Sequence, residues 1–370
     1  MAESNLHKLS RRRQSVWIDS LSRTMLESGE LARLMKEDAV VGETTNPTIF
    51  EKAISEGDAY DEQLTELLEE ETDAKEVFLQ LSARDVEAAL ALFAKVHEDN
   101  PEDGFVSWEV DPTLAYDREA TFDEAIRLHK WLDKPNLYVK IPATKPGLGA
   151  IEDCIARGKS INVTLIFSLQ RHKEVVEAYI RGLERLVAAG GDPGKVHSVA
   201  SFFVSRVDTE ADKRLEAVGS KEALALRGKL AIANAKLAYA HYQEVFSGPR
   251  WEFLEGKGAS SQRCLWASTS TKNPEYRDVM YVEELIGPHT VDTMPAETIR
   301  AFQDHGGVRG DTVTEQVDEA RRLLDQVAKV GVDYDDVTET LELEGVQKFA
   351  DSFEQLLEGV RAKHGKLALA

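Results

Sequence analysis

Eight short apolar runs, each followed by a longer amphipathic stretch, constrain the fold of this chain more than any other feature. They fall at 15–19 (SVWID), 39–45 (AVVGETT), 105–110 (FVSWEV), 137–142 (LYVKIP), 161–167 (INVTLIF), 197–204 (HSVASFFV), 262–268 (QRCLWAS) and 289–295 (HTVDTMP). Each has the length and β-branched or aromatic content of a buried strand. The intervening segments carry helical periodicity and helix punctuation. Residues 168–188 open on Ser168 as N-cap, place Val175, Val176, Tyr179, Ile180 and Leu183 on one face, and stop at Gly190-Gly191. Residues 121–132 are expected to open on Thr121, with Ala125, Ile126, Leu128 and Leu132 as the apolar stripe. Strands alternating with helices imply a parallel sheet, and eight repeats are the count that closes a (β/α)8 TIM barrel. A doubly wound sheet fits less well. Its glycine-rich turn after the first strand is missing, since Asp19 leads into Ser20-Leu21-Ser22.

A chain of 370 residues is longer than a minimal barrel requires. The surplus reads as helical insertions at about 50–104 and 208–250 and as C-terminal helices over about 296–370, with a polar break around Gly306-Gly307. No linker rich in Pro, Gly or Ser interrupts it, so one barrel domain over 1–370 is expected. A net charge of −21 argues against a general nucleic-acid binder. No apolar run is long enough to span a bilayer, and the first residues lack the apolar segment of a secretory signal. Cys154 and Cys264 are too few for a disulfide framework or a thiolate zinc site, and their apolar neighbours predict reduced, buried thiols and a cytoplasmic protein. Arg11-Arg12-Arg13 reads as the solvated face of an N-terminal helix.

The fourth run contains an anomaly. Lys140 stands in the middle of Leu137-Tyr138-Val139-Lys140-Ile141-Pro142. Burying an ammonium costs several kcal/mol unless it is paired or neutralised. A strand-end lysine whose stem snorkels to water is the bland explanation. The other is a nucleophile, since a desolvated, uncharged lysine is what Schiff-base chemistry on carbonyls uses.

Strand parity supplies its company. Lys140 shares a face with Tyr138 and Pro142; Glu109 with Ser107 and Asp111; Asn162 with Thr164; Ser201 with Phe203. Asp19 ends the first strand, and Thr44-Thr45-Asn46-Pro47-Thr48 follows the second. The outer face of a barrel packs on helices, so the polar set is the inward one. Most of it lies at the C-terminal strand ends, where barrel active sites are assembled. The competing account is a hydrogen-bonded polar layer that only plugs the barrel.

These motifs resemble one family along nearly the whole chain: the transaldolases, in their longer bacterial form. The marks are Asp19, Gly42-Glu43-Thr44-Thr45-Asn46-Pro47-Thr48, Ser107-Trp108-Glu109-Val110-Asp111, Val139-Lys140-Ile141-Pro142-Ala143-Thr144, Asn162-Val163-Thr164-Leu165-Ile166-Phe167-Ser168 and Ser201-Phe202-Phe203-Val204-Ser205-Arg206. The family fold is a (β/α)8 barrel. The resemblance implies transfer of a dihydroxyacetone unit from sedoheptulose 7-phosphate to glyceraldehyde 3-phosphate, giving erythrose 4-phosphate and fructose 6-phosphate, in the non-oxidative pentose phosphate pathway. It implies no metal and no organic cofactor. Partners are then sugar phosphates, with neither nucleic acid nor membrane, and the sequence does not choose between monomer and homodimer.

Carried over residue by residue, the resemblance makes Lys140 the Schiff-base nucleophile and Asp19 the general acid/base. Glu109 shuttles protons through a water positioned by Thr164. Asn46, Thr45, Asn162 and Ser201 hold substrate hydroxyls, and Phe203 shields the site. Arg206 and, after the seventh strand, Ser268 and Lys272 take the phosphate. The chain departs from its relatives here, because many of them carry an arginine where only Lys272 is available; a lysine binds phosphate as a point charge without the bidentate fork. His129, His172 and His289 receive no role. Two other functions compete: a Schiff-base aldolase that cleaves a ketose phosphate without transfer, and a non-catalytic sugar-phosphate binder.

Overall fold

The computed structural model describes residues 4–55 and 57–367, with the side chains of residues 69, 70 and 364–367 left aside. Its centre is a closed barrel of eight parallel strands paired in chain order. These are β1 (Gln14–Asp19), β2 (Val40–Thr44), β3 (Val106–Glu109), β4 (Leu137–Pro142), β5 (Ile161–Ile166), β6 (Ser198–Phe203), β7 (Arg263–Ala267) and β8 (Thr290–Met294). The barrel closes where β1 pairs with β8, Gln14 opposite Thr290. The expected strands coincide with the observed ones to within a residue or so at each end.

The helices follow their caps. The helix Leu169–Ala188 is capped by Ser168, whose hydroxyl accepts from the Arg171 amide. The helix expected to open at Thr121 instead runs Arg118–Trp131, because the Asp117 carboxylate caps it by accepting from the Ala120 amide. Thr121 is buried, and its hydroxyl donates to the Leu114 carbonyl. The β2–β3 insertion folds as Pro47–Ser55, Asp61–Glu70 and Ala74–Asp99; the β6–β7 insertion as Ser205–Val218, Lys221–Leu224, Leu230–Val245 and Pro249–Glu255. Beyond β8 the chain forms Ala296–His305, breaks at the two glycines, and continues as Val317–Lys329 and Tyr334–Leu367.

The barrel interior is layered. At its N-terminal end Arg263 donates to the Ser15 hydroxyl at 2.9 Å and lies 3.3 Å from Asp103, a polar plug with its partners in place. Above it Trp17 and Tyr138 lie with ring centroids 6.1 Å apart, and Tyr138 stacks on Phe105 at 4.0 Å. Gly42 on β2 makes room for this layer: a Cβ there would sit 2.4 Å from the Trp17 ring. The C-terminal end is partly covered by the last helix. Near its start the Tyr334 hydroxyl accepts from the Leu169 amide at 2.9 Å and donates to Asn234 at 2.6 Å. Further along, Ser352 bonds Thr48 at 2.8 Å and Phe353 packs edge-on against Phe78 at 5.7 Å. The helix therefore runs from the β5 side to the β2 side across the barrel mouth. No helix among the described residues is long and apolar enough to cross a membrane. Both cysteines are free and buried.

Candidate active site

A cavity of about 320 Å³ opens at the C-terminal end of the barrel, and its wall includes Asp19, Asn46, Lys140, Thr164, Ser201 and Phe203. Arg206, Ser268 and Lys272 bound the same space. Residues scattered over two-thirds of the chain converge because each lies in the C-terminal half of its own strand or just past its end.

Lys140 leaves β4 with 5% of its surface exposed. Its Nζ donates to the Thr45 carbonyl at 2.9 Å and lies 3.4 Å from Glu109 Oε2, an ion-pair separation longer than a good hydrogen bond. Lys140 and Glu109 are register partners on β4 and β3, which fixes their proximity. The Phe349 ring lies 5.6 Å from the same Nζ. This lysine does not snorkel to bulk water.

Glu109 sits behind Lys140 against an apolar layer that includes Phe50, Phe78 and Phe353. Burial pushes its carboxyl up to about 7, although the Lys140 charge pulls the other way. Neither Glu109 oxygen has a hydrogen-bond partner among the described residues, and the same holds for the buried Thr164 hydroxyl. A carboxyl that titrates near neutrality can both take and give a proton at working pH. Asp19, half-buried at the end of β1, accepts from the Thr44 hydroxyl at 2.9 Å, and Thr44 in turn bonds Thr293 at 2.7 Å. Burial raises the Asp19 carboxyl above the usual carboxylate range, while Lys140 draws it down. The two acids thus share one cation in different surroundings, the arrangement that divides acid and base duties.

The remaining expected residues fall into three groups. Asn46 lines the cavity while its side-chain oxygen accepts from the Ile49 amide, which caps the helix Pro47–Ser55. Asn162 is buried one step back. Its amide nitrogen donates to Ser107 at 3.0 Å and its oxygen accepts from Ser201 at 2.7 Å, so the amide orients Ser201. Thr45 turns its hydroxyl onto the Ser107 carbonyl at 2.7 Å; its backbone carbonyl, not its side chain, reaches Lys140. On β5 the alternation that carries Asn162 and Thr164 inward ends in a register shift, with Leu165 in the left-handed region at φ 59°. Phe167 beyond it packs on Phe203 at 5.2 Å.

At the rim the ladder of β6 and β7 continues as Ser205 N–H to the Ser268 carbonyl at 3.0 Å. This ties the Arg206 turn to the loop that carries Lys272. Arg206 lies in the first turn of the helix Ser205–Val218, where the helix dipole adds positive potential. The Lys272 ammonium donates to the Ser270 hydroxyl at 2.8 Å, and burial together with the Arg206 charge lowers its proton affinity. Among the described residues no group of three or more His, Cys, Asp or Glu is placed to hold a metal ion.

Thr44, Thr293, Lys348 and Phe349 also line the cavity without having been expected there. Thr44 stands in a motif already singled out. The other three come from β8 and the last helix, and nothing in their local sequence sets them apart.

The polar end is therefore not a second plug. The partners present at the Arg263 end are missing around Glu109 and Thr164, and Thr164 faces the open cavity.

Residues 16–360 match the model of the transaldolase/fructose-6-phosphate aldolase family. Similar proteins include the transaldolase of Mycolicibacterium paratuberculosis, 52% identical over 98% of this chain and 97% of that protein. The transaldolases of Mycobacterium tuberculosis and Mycolicibacterium smegmatis are each 51% identical over 97% of this chain, covering 96% and 97% of those proteins.

Proposed function

Because this chain belongs to the transaldolase family, its activity is that of a transaldolase on sugar phosphates, and we propose that Lys140 carries the transferred three-carbon unit. The supporting observation is a buried amine 3.4 Å from a carboxyl that titrates at about 7, facing a cavity that also holds Asp19.

Imine formation needs the neutral amine, which a lysine in water offers in only roughly 1 molecule in 2,500 at pH 7. Glu109 takes the ammonium proton, and Nζ adds to the C2 carbonyl of the donor ketose. Loss of water gives the iminium, with Glu109 and Thr164 moving protons through a water. Asp19 then removes the C4 hydroxyl proton. The C3–C4 bond breaks, its electron pair enters the iminium, and the aldose phosphate departs. The enamine left on Lys140 attacks the aldehyde carbon of the acceptor as Asp19 returns a proton to its oxygen. Hydrolysis of the new imine releases the product.

Asn46 and Ser201, the latter oriented by Asn162, hold the hydroxyls of the three-carbon unit. Phe203 covers it. Arg206, Ser268 and Lys272 bind the phosphate. The donor is sedoheptulose 7-phosphate and the acceptor glyceraldehyde 3-phosphate. Two free, buried cysteines suit a reducing cytoplasm. Contacts of the last helix with the β2–β3 insertion support a single barrel domain for the whole chain.

Borohydride reduction in the presence of fructose 6-phosphate tests the assignment. The peptide containing Lys140 is expected to gain the mass of a reduced dihydroxyacetone unit, and Lys140→Ala to lose the adduct; an adduct that persists in the variant refutes it. Adding erythrose 4-phosphate without borohydride is expected to give sedoheptulose 7-phosphate rather than free dihydroxyacetone.

A further inference from the structure

Besides Lys140, four cations bound the cavity: Lys52, Arg206, Lys272 and Lys348. Among the described residues none of them has a carboxylate within ion-pair distance; Arg206 lies over the Phe203 ring at 5.3 Å, and Lys272 donates to the Ser270 hydroxyl. The chain holds 66 Asp and Glu against 45 Lys and Arg, so acids to pair with are abundant elsewhere. Unpaired like charges gathered at one opening repel each other. Arg206 and Lys348 both act against the Lys272 charge, with Glu297 and Asp19 as the opposing acids in range. Such a group is held together at a cost unless an anion enters it.

Lys348 differs from Arg206 and Lys272 in origin, since it belongs to the last helix, Tyr334–Leu367, whereas those two follow directly on β6 and β7. Its direction is set by its neighbours. Phe349 is 3% exposed, with its ring over Lys140, and Ser352 and Phe353 anchor the next turn on Thr48 and Phe78. Consecutive side chains on a helix diverge by about 100°. With Phe349 seated in the cavity, Lys348 is exposed and turned to the rim where Lys272 lies.

We propose that Lys348 is a phosphate-binding residue, so that the last helix, together with Arg206 and Lys272, selects phosphorylated over unphosphorylated sugars. The inference rests on Lys140 being the Schiff-base residue, which places the reacting carbons and leaves the phosphate at the rim.

Kinetics with fructose 6-phosphate and with fructose as donors, using unphosphorylated glyceraldehyde as acceptor, isolate the donor phosphate. In Lys348→Ala, KM for fructose 6-phosphate is expected to rise roughly tenfold, more than kcat falls, as for loss of one charge-assisted contact. The ratio of kcat/KM for fructose 6-phosphate over fructose falls by a similar factor. Competitive inhibition by inorganic phosphate weakens in parallel, and Lys348→Arg restores most of both. Lys348→Gln, which keeps the stem, carries the same expectation should the alanine variant fold poorly. Equal losses on both donors, or unchanged inhibition by phosphate, overturn the proposal. Borohydride labelling of Lys140 in the parent protein separates the two failures. If the label is absent there, the Schiff-base reading has failed; if it is present while the donor ratio stays constant, only the role of Lys348 has.

Discussion

Replacing Glu109 by glutamine is expected to make this protein more stable and far less active, with the gain in stability confined to the upper part of the pH range. In the fold the Glu109 carboxyl rises from 4.5 to about 7, burial being the largest cause. The unfolded chain releases this proton near 4.5, whereas the folded protein holds it to about 7. Between those values the folded state binds more protons, so its stability falls as pH rises and levels off above about 7. The gap of about 2.5 pH units, at about 1.4 kcal/mol per unit, is a penalty of roughly 3 kcal/mol. Glutamine has nearly the shape of the protonated acid and never ionises, so Glu109→Gln escapes it. An unfolding entropy of about 2.1 cal/mol/K per residue, over 370 residues, converts 3 kcal/mol to about 4 °C in Tm.

Melting curves at pH 5 and pH 8 measure this directly. Glu109→Gln is expected to melt about 4 °C above the parent at pH 8, with most of the difference gone at pH 5. Turnover is expected to fall by about 10²–10⁴ at both values, since the substitution removes the proposed proton shuttle. A variant that melts no higher at pH 8, or gains equally at both, refutes the claim that an ionised Glu109 is held in the barrel at a cost in stability.

Asp19→Asn is expected to lower kcat by about 10²–10⁴ while leaving imine formation intact. Mass spectrometry after borohydride would then find the whole ketose phosphate on Lys140 instead of a three-carbon fragment, and a three-carbon adduct would remove Asp19 from the cleavage step. Gly42→Ala drives a methyl group to within 2.4 Å of the Trp17 ring in the layer beneath the site. It is expected to cost about 1–3 kcal/mol, read as a lowered Tm, and an unchanged Tm would show that Trp17 can move.

The eight strands were legible because a parallel barrel buries both faces of every strand, which leaves long apolar runs between polar ends. Strand parity likewise placed Lys140 and Glu109 on the inward faces of their strands, and the β3–β4 register then makes them neighbours. Parity failed where the backbone departs from a regular strand. Thr45 lies past the end of β2 and turns its hydroxyl to Ser107, and Leu165 adopts a left-handed φ that breaks the alternation before Phe167. Neither residue type announces such a conformation. The helix starts at 118 rather than 121 because the Asp117 carboxylate caps it, while Thr121 is buried within its first turns. Asn162 was recognised as inward-facing, but its full use by Ser107 and Ser201 needed the register of three strands at once.

The last helix was the least legible element of the site, and the reason is geometric. A strand-end residue has a known place relative to the barrel axis, whereas a helix after β8 can pack anywhere on the outside. The apolar spacing of Val346, Phe349 and Phe353 marks a buried face without naming what covers it. In the fold that face covers the barrel mouth, which reconciles two demands on Lys140. The proposed reaction requires that the amine be kept from bulk water and that a sugar phosphate still reach it. A loop long enough to do both would cost conformational entropy on every closure. A helix pinned by Tyr334 at its start and by Phe353 further along covers Lys140 while leaving beside it the cavity that Arg206 and Lys272 bound. In the proposed binding mode Lys348, on the open edge of that helix, meets the charged end of the substrate, while Phe349 beside it covers Lys140.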